Sequence, residues 1–181
     1  MSSFDDALRR QQAQRDATYA TEQSFSLQRR HMAEAAVPTI TRLLQEFSIG
    51  LSRRGVEPER IELLSRRGIL RLPRYSPAGY ELMAKRTWDK SGRQINPRPR
   101  VLSLVTSEGR LWCHGMSGQE GFVSITVENL LNKIYLDGDT YLAYGANGEP
   151  QTYRHGDPPS AGPLEELLAQ AALRLIDRSS R

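Results

Sequence analysis

The chain of 181 residues has a single cysteine, Cys113, and no long apolar run. One cysteine cannot form a disulfide within the chain, which fits a reducing compartment. No apolar run approaches the roughly 18 residues that a membrane span requires. The first residues also lack the basic and apolar segments of a signal peptide. We therefore expect a cytoplasmic protein without a membrane partner.

Lysine is scarce: of 25 basic residues, only Lys85, Lys90 and Lys133 are not arginine. Residues 1–100 hold 19 Lys+Arg against 11 Asp+Glu, a net of +8, whereas residues 101–181 hold 6 against 10, a net of −4. A basic half indicates either a surface for a polyanion or a solvated helix face, since acids are interspersed. If the partner is nucleic acid, the expected phosphate contacts are Arg9, Arg10, Arg29, Arg30, Arg53, Arg54, Lys85, Arg86 and Arg93.

Residues 4–36 contain neither glycine nor proline and are rich in Gln, Ala, Arg and Glu, which favour helix. Their apolar residues recur irregularly, so the helix has no stripe wide enough to pack on its own domain. We predict that residues 1–36 are a polar helical extension that orders against a partner protein or a second copy. The expected partner-binding residues are Phe4, Leu8, Phe25 and Met32.

Two further helices carry a continuous apolar face. The first is predicted over 38–54, with Pro38 at its start and Gly55 as its stop; whether it continues the preceding helix stays open. Its apolar residues, spaced three and four apart, are Ile40, Leu43, Leu44, Phe47 and Leu51. The second is predicted to begin at Pro163, after a linker over 156–163, and to belong to the core.

Strand patterns fill the region between these helices. Val101 to Thr106 and Arg110 to His114 indicate one hairpin, and Asn147-Gly148 indicates a second between Thr140–Tyr144 and Gln151–His155. We expect a helix capped by Thr126 between the hairpins. A short helix is also predicted over 59–64 and a loop over 89–99.

This order predicts an α+β fold: a two-layer antiparallel sheet of about five strands packed by helices, with the long N-terminal helical extension. Residues 37–181 are predicted to form a single domain. The order of elements over 38–178 resembles that of the type III secretion chaperones, small dimeric proteins that wrap an unfolded segment of a client. The resemblance implies a chaperone-like role and carries no site residues.

Few residues suggest catalysis or metal binding. Cys113 and His114 are neighbours in a predicted strand, so their side chains point to opposite faces and cannot share an ion unless a bulge intervenes. Cys113 is either a buried strand cysteine, which we favour, or a nucleophile with His155 as its base. No metal-ligand spacing is present. We expect no metal, no cofactor and no enzymatic activity.

Aromatic residues on the predicted strands lie close in sequence to basic ones. Aromatics interleaved with arginine on a sheet can stack bases and neutralise phosphates, but they can equally fill the core between sheet and helices. The residues concerned are Tyr80, Trp88, Trp112, Tyr141, Tyr144 and Tyr153. We favour the core. The preferred function is therefore a protein-interaction module, such as an adaptor, assembly factor or chaperone-like subunit, with nucleic-acid binding as the alternative.

Overall fold

The structure is a computed structural model that describes residues 3–63, 74–88, 91, 94–116, 119–156 and 159–180. The helices and strands in these residues follow one order along the chain. They are α1 (Ser3–Arg53), β1 (Glu62–Leu63), β2 (Arg74–Tyr75), β3 (Gly79–Trp88), β4 (Gln94–Thr106), β5 (Leu111–Met116), β6 (Gln119–Val123), α2 (Val127–Leu131), β7 (Ile134–Tyr135), β8 (Thr140–Tyr144), β9 (Pro150–Arg154), β10 (Ser160–Pro163) and α3 (Leu164–Ser179).

Helix α1 runs without a break through Pro38, which settles the question that the sequence left open. Pro38 is exposed, so its ring meets solvent rather than the core. Burial begins at Met32, and the predicted face of Ile40, Leu44 and Leu51 is almost completely buried. The predicted core helix is confirmed, although Pro38 does not begin it. Within the described residues no helix combines the length and apolar character that crossing a bilayer would need.

The strands form antiparallel sheets, which together with the helices confirms the α+β class. The first four-stranded sheet has the order β3-β4-β5-β6, and the second has the order β10-β9-β8-β7. Strands β1 and β2 form a separate pair. Both predicted hairpins are present, as β4–β5 and β8–β9. The described strands are more numerous than the five expected and are divided among three sheets, because several short segments pair as edges.

Three local predictions are wrong. Residues 59–63 are extended rather than helical: Glu59 bridges to Gly79, and Leu63 packs with Leu102 and Trp112 on the outer side of the first sheet. Residue 64 lies outside the described residues. The predicted loop over 89–99 is strand β4 from Gln94 onward. The predicted linker ends in the edge strand β10, where Pro163 is tolerated because an edge position needs no second ladder bond.

The main core lies between the two sheets and the helices. It contains the buried half of α1, the α3 residues Leu164 and Leu168, and Tyr80 of β3. Tyr80 is 1% exposed and Trp112 is 8% exposed, so these two aromatic residues fill cores, as expected. Thr126 caps α2, as predicted, by accepting a hydrogen bond from the Asn129 amide. Met116, Leu130 and Leu142 also belong to the main core.

The turn between β8 and β9 braces α1 where burial begins. Gly148 has φ of +78°, and a Cβ there would lie 2.8 Å from the Ala35 Cβ and 3.1 Å from the Met32 carbonyl oxygen. The glycine is therefore needed both for its left-handed backbone and for its close approach to the helix. This contact marks the end of the globular body, and the preceding part of α1 extends beyond it.

Candidate functional site

Residues 9–31 of α1, which we call the arm, extend from the body as exposed helix. Arg9 and every residue from 11 to 31 are exposed. Three large apolar side chains of the arm face solvent: Tyr19 is 65%, Phe25 is 61% and Leu27 is 60% exposed. The sequence predicted that residues 1–36 are too polar to fold back onto the body. The described part of the arm agrees with that prediction, but Ala33 and Ala36 are fully buried in the main core, so the predicted extension ends too late.

The arm is held mainly by hydrogen bonds within its own helix. The hydroxyls of Thr18 and Thr21 donate to backbone carbonyls one turn earlier, at 2.9 and 2.8 Å. Arg30 forms an ion pair with Glu34 at 3.2 Å and reaches Glu128 of the body at 3.9 Å. Exposed pairs of this kind contribute little, roughly 0–1 kcal/mol. The arm therefore gains almost no stability from tertiary packing.

The two predicted partner-binding residues whose side chains the structure describes differ in exposure. Phe25 is exposed on the arm, whereas Met32 is half-buried beside the turn at Gly148. The side chains of Phe4 and Leu8 lie outside the described residues. Sequence reasoning missed Tyr19 and Leu27. Since each residue turns a helix by about 100°, Tyr19 and Leu27 lie about 80° apart on one side of the arm, and Phe25 lies on another side.

The predicted phosphate contacts are also dispersed. Arg9, Arg29 and Arg30 are exposed on the arm, while Arg53 and Arg54 lie at the opposite end of α1. With a rise of about 1.5 Å per residue, Arg29 and Arg53 are about 36 Å apart. The Arg10 side chain and Arg93 lie outside the described residues. The predicted phosphate contacts on α1 are thus spread along the helix and do not form one basic surface.

Lys85 and Arg86 both contact carboxylates of their own chain. Lys85 pairs with Asp139, and its hydrogen bond and charge hold the pKa of that carboxyl below its usual value despite some burial. Arg86 pairs with Glu81 at 2.5 Å, and Arg178 approaches the same carboxylate at 3.5 Å. Burial raises the pKa of Glu81, but these two arginines outweigh it and the net shift is downward. Both basic residues therefore serve the body's own structure.

Three tyrosines form a row across the second sheet. Strand register places Tyr135 opposite Tyr141 and Tyr141 opposite Tyr153, with ring centroids 5.6 and 5.2 Å apart. The His155 ring lies 5.2 Å from the Tyr141 ring, and the Lys133 ammonium is 5.0 Å from its centroid. Partial burial, and then the neighbouring Tyr153 and Tyr135, raise the pKa of Tyr141, so this hydroxyl is neutral at physiological pH. We call these five residues the tyrosine face.

A polar cleft of about 520 Å³ adjoins the tyrosine face and shares Lys133 and Tyr135 with it. The Gln119 side chain joins the two sheets there: its amide nitrogen donates to the Lys133 carbonyl at 2.9 Å, and its oxygen accepts from the Tyr135 amide at 2.8 Å. Lys133 has φ of 66°, a left-handed conformation that is unfavourable for lysine. The cleft wall is thus built around a strained lysine that presents its ammonium to Tyr141.

The predicted aromatic residues on the strands divide between the core and an outer sheet surface. Tyr141 and Tyr153 are half-buried on the outer side of the sheet, whereas Tyr80 and Trp112 are buried in cores. The Trp88 side chain lies outside the described residues. The sequence did not single out Tyr135 or Lys133, and the period-two alternation of β8 and β9 was the available signal. Pairing β7 with β8 is what completes the row.

Cys113 is fully buried, as favoured from the sequence, and its thiol lies 3.6 Å from the Tyr135 carbonyl oxygen. Burial, with the nearby charge of Glu120, raises the pKa of this thiol to about 12. The thiol is therefore protonated at neutral pH and is a poor nucleophile. His155 lies in the tyrosine face instead. The described parts of the chain hold no group of three or more side chains suited to a metal.

Glu120 and His114 form a pair that the sequence did not predict. A Glu120 carboxylate oxygen lies 2.6 Å from His114 Nδ1, and the other accepts from the Gly115 amide at 3.1 Å. Burial raises the pKa of Glu120, but the bonds to His114 and Gly115 outweigh it and lower the pKa overall. The His114 ring stacks beside Trp112 with centroids 6.1 Å apart. This pair fixes the end of β5 against β6.

The chain was compared with known proteins, and no family model, no curated protein and no solved structure matches it. The similarity of element order to the type III secretion chaperones therefore stays a prediction. What the geometry defines is an α+β protein with an exposed helical arm and an aromatic sheet face. The arm and the tyrosine face are the two candidate functional surfaces.

Proposed function

We propose that this protein is a protein-interaction module whose arm binds a partner protein. The observation that carries this proposal is the exposure of the arm along its whole described length. A polar helix of this size is marginal in water when nothing packs against it. Because the arm continues a buried helix, the body supplies its helical nucleus, and a partner would supply the missing packing.

The composition of the arm suits such a role. Tyr19, Phe25 and Leu27 expose large apolar side chains, and Arg29 and Arg30 lie beside them. Tyrosine and arginine are among the residues that contribute most binding energy in protein interfaces. Tyr19 and Leu27 share one side of the arm and Phe25 lies on another, so a partner would enclose the arm rather than lie along one side of it.

The test is affinity capture from the native cell with the full chain as bait. The triple variant Tyr19→Ser, Phe25→Ser and Leu27→Ser should lose the partner, since it removes the exposed apolar contacts of the arm. A matched control is Ile49→Ser, an exposed apolar residue of α1 within the body, at 49% exposure. The proposal fails if the triple variant retains the partner as the control does.

A truncation separates binding from folding. Removing residues 1–31 deletes the arm and spares Ala33 and Ala36, which are fully buried. The truncated protein should keep a melting temperature close to that of the full chain, because every described side chain of the deleted segment is exposed. A large fall in melting temperature would contradict this, since it would mean that the arm stabilises its own body.

Nucleic-acid binding is the second candidate, and the tyrosine face is the observation that favours it. Stacking of a base on an aromatic side chain contributes roughly 1–3 kcal/mol, and Lys133 is placed to meet a phosphate. Retention of single-stranded nucleic acid should then fall with salt at a log–log slope of about −0.7 per neutralised phosphate. It should also weaken in Tyr141→Ala. Absence of retention at about 50 mM salt would end this candidate.

A further inference from the structure

An apolar groove of about 450 Å³ lies between α1 and α3, away from the arm and the tyrosine face. Leu43, Phe47 and Leu51 form its α1 wall, and Leu168 and Ile176 contribute to its α3 wall. Gly50, Ala169 and Ala172 also line it, and the small size of these residues leaves the space open. Leu173 stands at the margin with 62% of its surface exposed. The same face of the protein therefore presents an open apolar groove and, at its margin, the protruding side chain of Leu173.

The two helices run in the same direction past this groove. At one end, Pro163 precedes α3 and pairs with Gln151, close to the turn whose Gly148 contacts Ala35 of α1. At the other end both helices meet β3. There the Phe47 ring lies 6.2 Å from the Tyr80 ring, and Arg174 donates to the Leu82 carbonyl at 3.0 Å.

Opposite charges therefore occupy opposite ends of the groove. Glu165 lies in the first turn of α3, and Arg54 follows the last residue of α1. Arg54 donates to the Gly50 carbonyl at 3.0 Å, and Glu46 pairs with Arg42 at 3.0 Å. Within the part of the chain that the structure describes, neither Arg54 nor Glu165 has an ion-pair partner. One basic and one acidic group thus remain available to a molecule lying along the groove.

We infer that the α1–α3 groove is the docking surface for a second copy of this chain, related by a two-fold axis. A two-fold interface uses the same patch on both copies, so the patch must complement itself. Because the axis places the two grooves in opposite directions, Arg54 of each copy lies opposite Glu165 of the other copy. It also brings Leu173 of each copy towards the space above Gly50, Ala169 and Ala172 of the other. Charge and shape both satisfy the requirement.

The measurement is the mass of the full chain in solution, by sedimentation equilibrium over the micromolar range. Wild type should have twice the chain mass of 20.4 kDa. Leu173→Glu should raise the dissociation constant by at least about tenfold, because it places a charge in an apolar interface. Leu27→Glu, at an equally exposed leucine of the arm, is the matched control and should leave the mass unchanged. Circular dichroism checks that both variants are folded.

A charge exchange tests the two-fold arrangement itself. Arg54→Glu and Glu165→Arg should each weaken the dimer, and the double variant should recover most of the wild-type association, because the pair is restored in the opposite sense. A monomeric wild type overturns the inference. So does a dimer that Leu27→Glu disrupts and Leu173→Glu does not. None of the substituted groove residues lies in the arm, so these results and those of the capture experiment succeed or fail separately.

Discussion

One continuous helix contains two very different stretches. Residues 11–31 of α1 are all exposed, whereas the same helix buries Ala33, Ile40, Leu44 and Leu51 to 1% exposure or less. The helical backbone is the same on both sides of residue 32, so the secondary structure does not distinguish them. The stability of the second stretch comes from packing against the sheets and α3, and the first has no such packing. The arm therefore shares the helical backbone of the body but not the stabilisation that packing gives to the buried stretch.

The largest contrast should appear when one apolar residue is shortened in each stretch. Ile40→Ala removes a fully buried side chain and should lower the free energy of unfolding by about 2–5 kcal/mol. Leu27→Ala in the arm should change it by less than about 0.5 kcal/mol. Denaturant unfolding of both variants measures the difference. Equal losses would mean that the arm is packed against something in solution, and the contrast between the stretches would disappear.

The boundary between the stretches can be tested at Gly148. Gly148→Ala should cost more than about 1–2 kcal/mol, because a left-handed backbone is unfavourable for alanine and its Cβ would also press on Ala35. Gly138→Ala is the control: it has φ of +89° but no atom within 4 Å of the added Cβ. Thermal unfolding should show Gly148→Ala as the less stable of the two. Equal melting temperatures would show that the turn does not brace α1.

The body also differs from the arm in the burial of its ion pairs: the pair of Glu81 with Arg86 is largely buried, whereas the pair of Arg30 with Glu34 is exposed. Glu81→Gln should lower the free energy of unfolding by about 1–3 kcal/mol, since the carboxylate is 12% exposed and accepts from two arginines. The pKa of Glu81 is lower in the folded state than in the unfolded state. Its stabilisation is therefore present above the unfolded pKa and is lost as pH falls through the folded pKa.

Stability curves against pH test this assignment. Wild type should lose stability more steeply than Glu81→Gln on the acid side, and the two curves should converge at low pH, where the carboxyl is protonated. Parallel curves would exclude Glu81 as a source of the acid sensitivity.

A small effect is expected where the arm meets the body. Arg30→Ala removes the ion pairs with Glu34 and Glu128 and should change the free energy of unfolding by less than about 1 kcal/mol, because all three side chains are exposed. Increasing salt should reduce even this difference. A loss comparable to that of Ile40→Ala would show that the arm is anchored to the body through this one contact.

The sequence predicted best where one short-range pattern dominates. The spacing of Ile40, Leu44 and Leu51 predicted a buried helix face, and Asn147-Gly148 predicted the hairpin that forms. Prediction failed where pairing depends on distant residues. Leu63 is extended because it packs with Leu102 and Trp112, about forty and fifty positions later in the chain. A local sequence pattern cannot predict a contact between residues so far apart. Ser160–Pro163 becomes a strand only because β9 offers a free edge.

The candidate surfaces show the same division. The sequence predicted the polar arm from its composition alone and singled out Phe25, yet it missed Tyr19 and Leu27, which are equally exposed. It noted Tyr141 and Tyr153 but not the row they form with Tyr135, because a cross-strand row depends on register. The groove between α1 and α3 joins residues more than a hundred positions apart. Sites of this kind exist only after the helices and sheets have packed.

The amino-acid sequence by itself determined the long helical segments, the hairpin turns, the α+β class and the polarity of the arm. These follow from periodicity, turn chemistry and composition, which act between residues a few positions apart. Tertiary structure alone decided the division of the strands into sheets, the contact of the Cys113 thiol with the Tyr135 carbonyl, the tyrosine face and the α1–α3 groove. Each of these depends on which distant segments meet, and that choice is made by the burial of apolar surface across the whole chain.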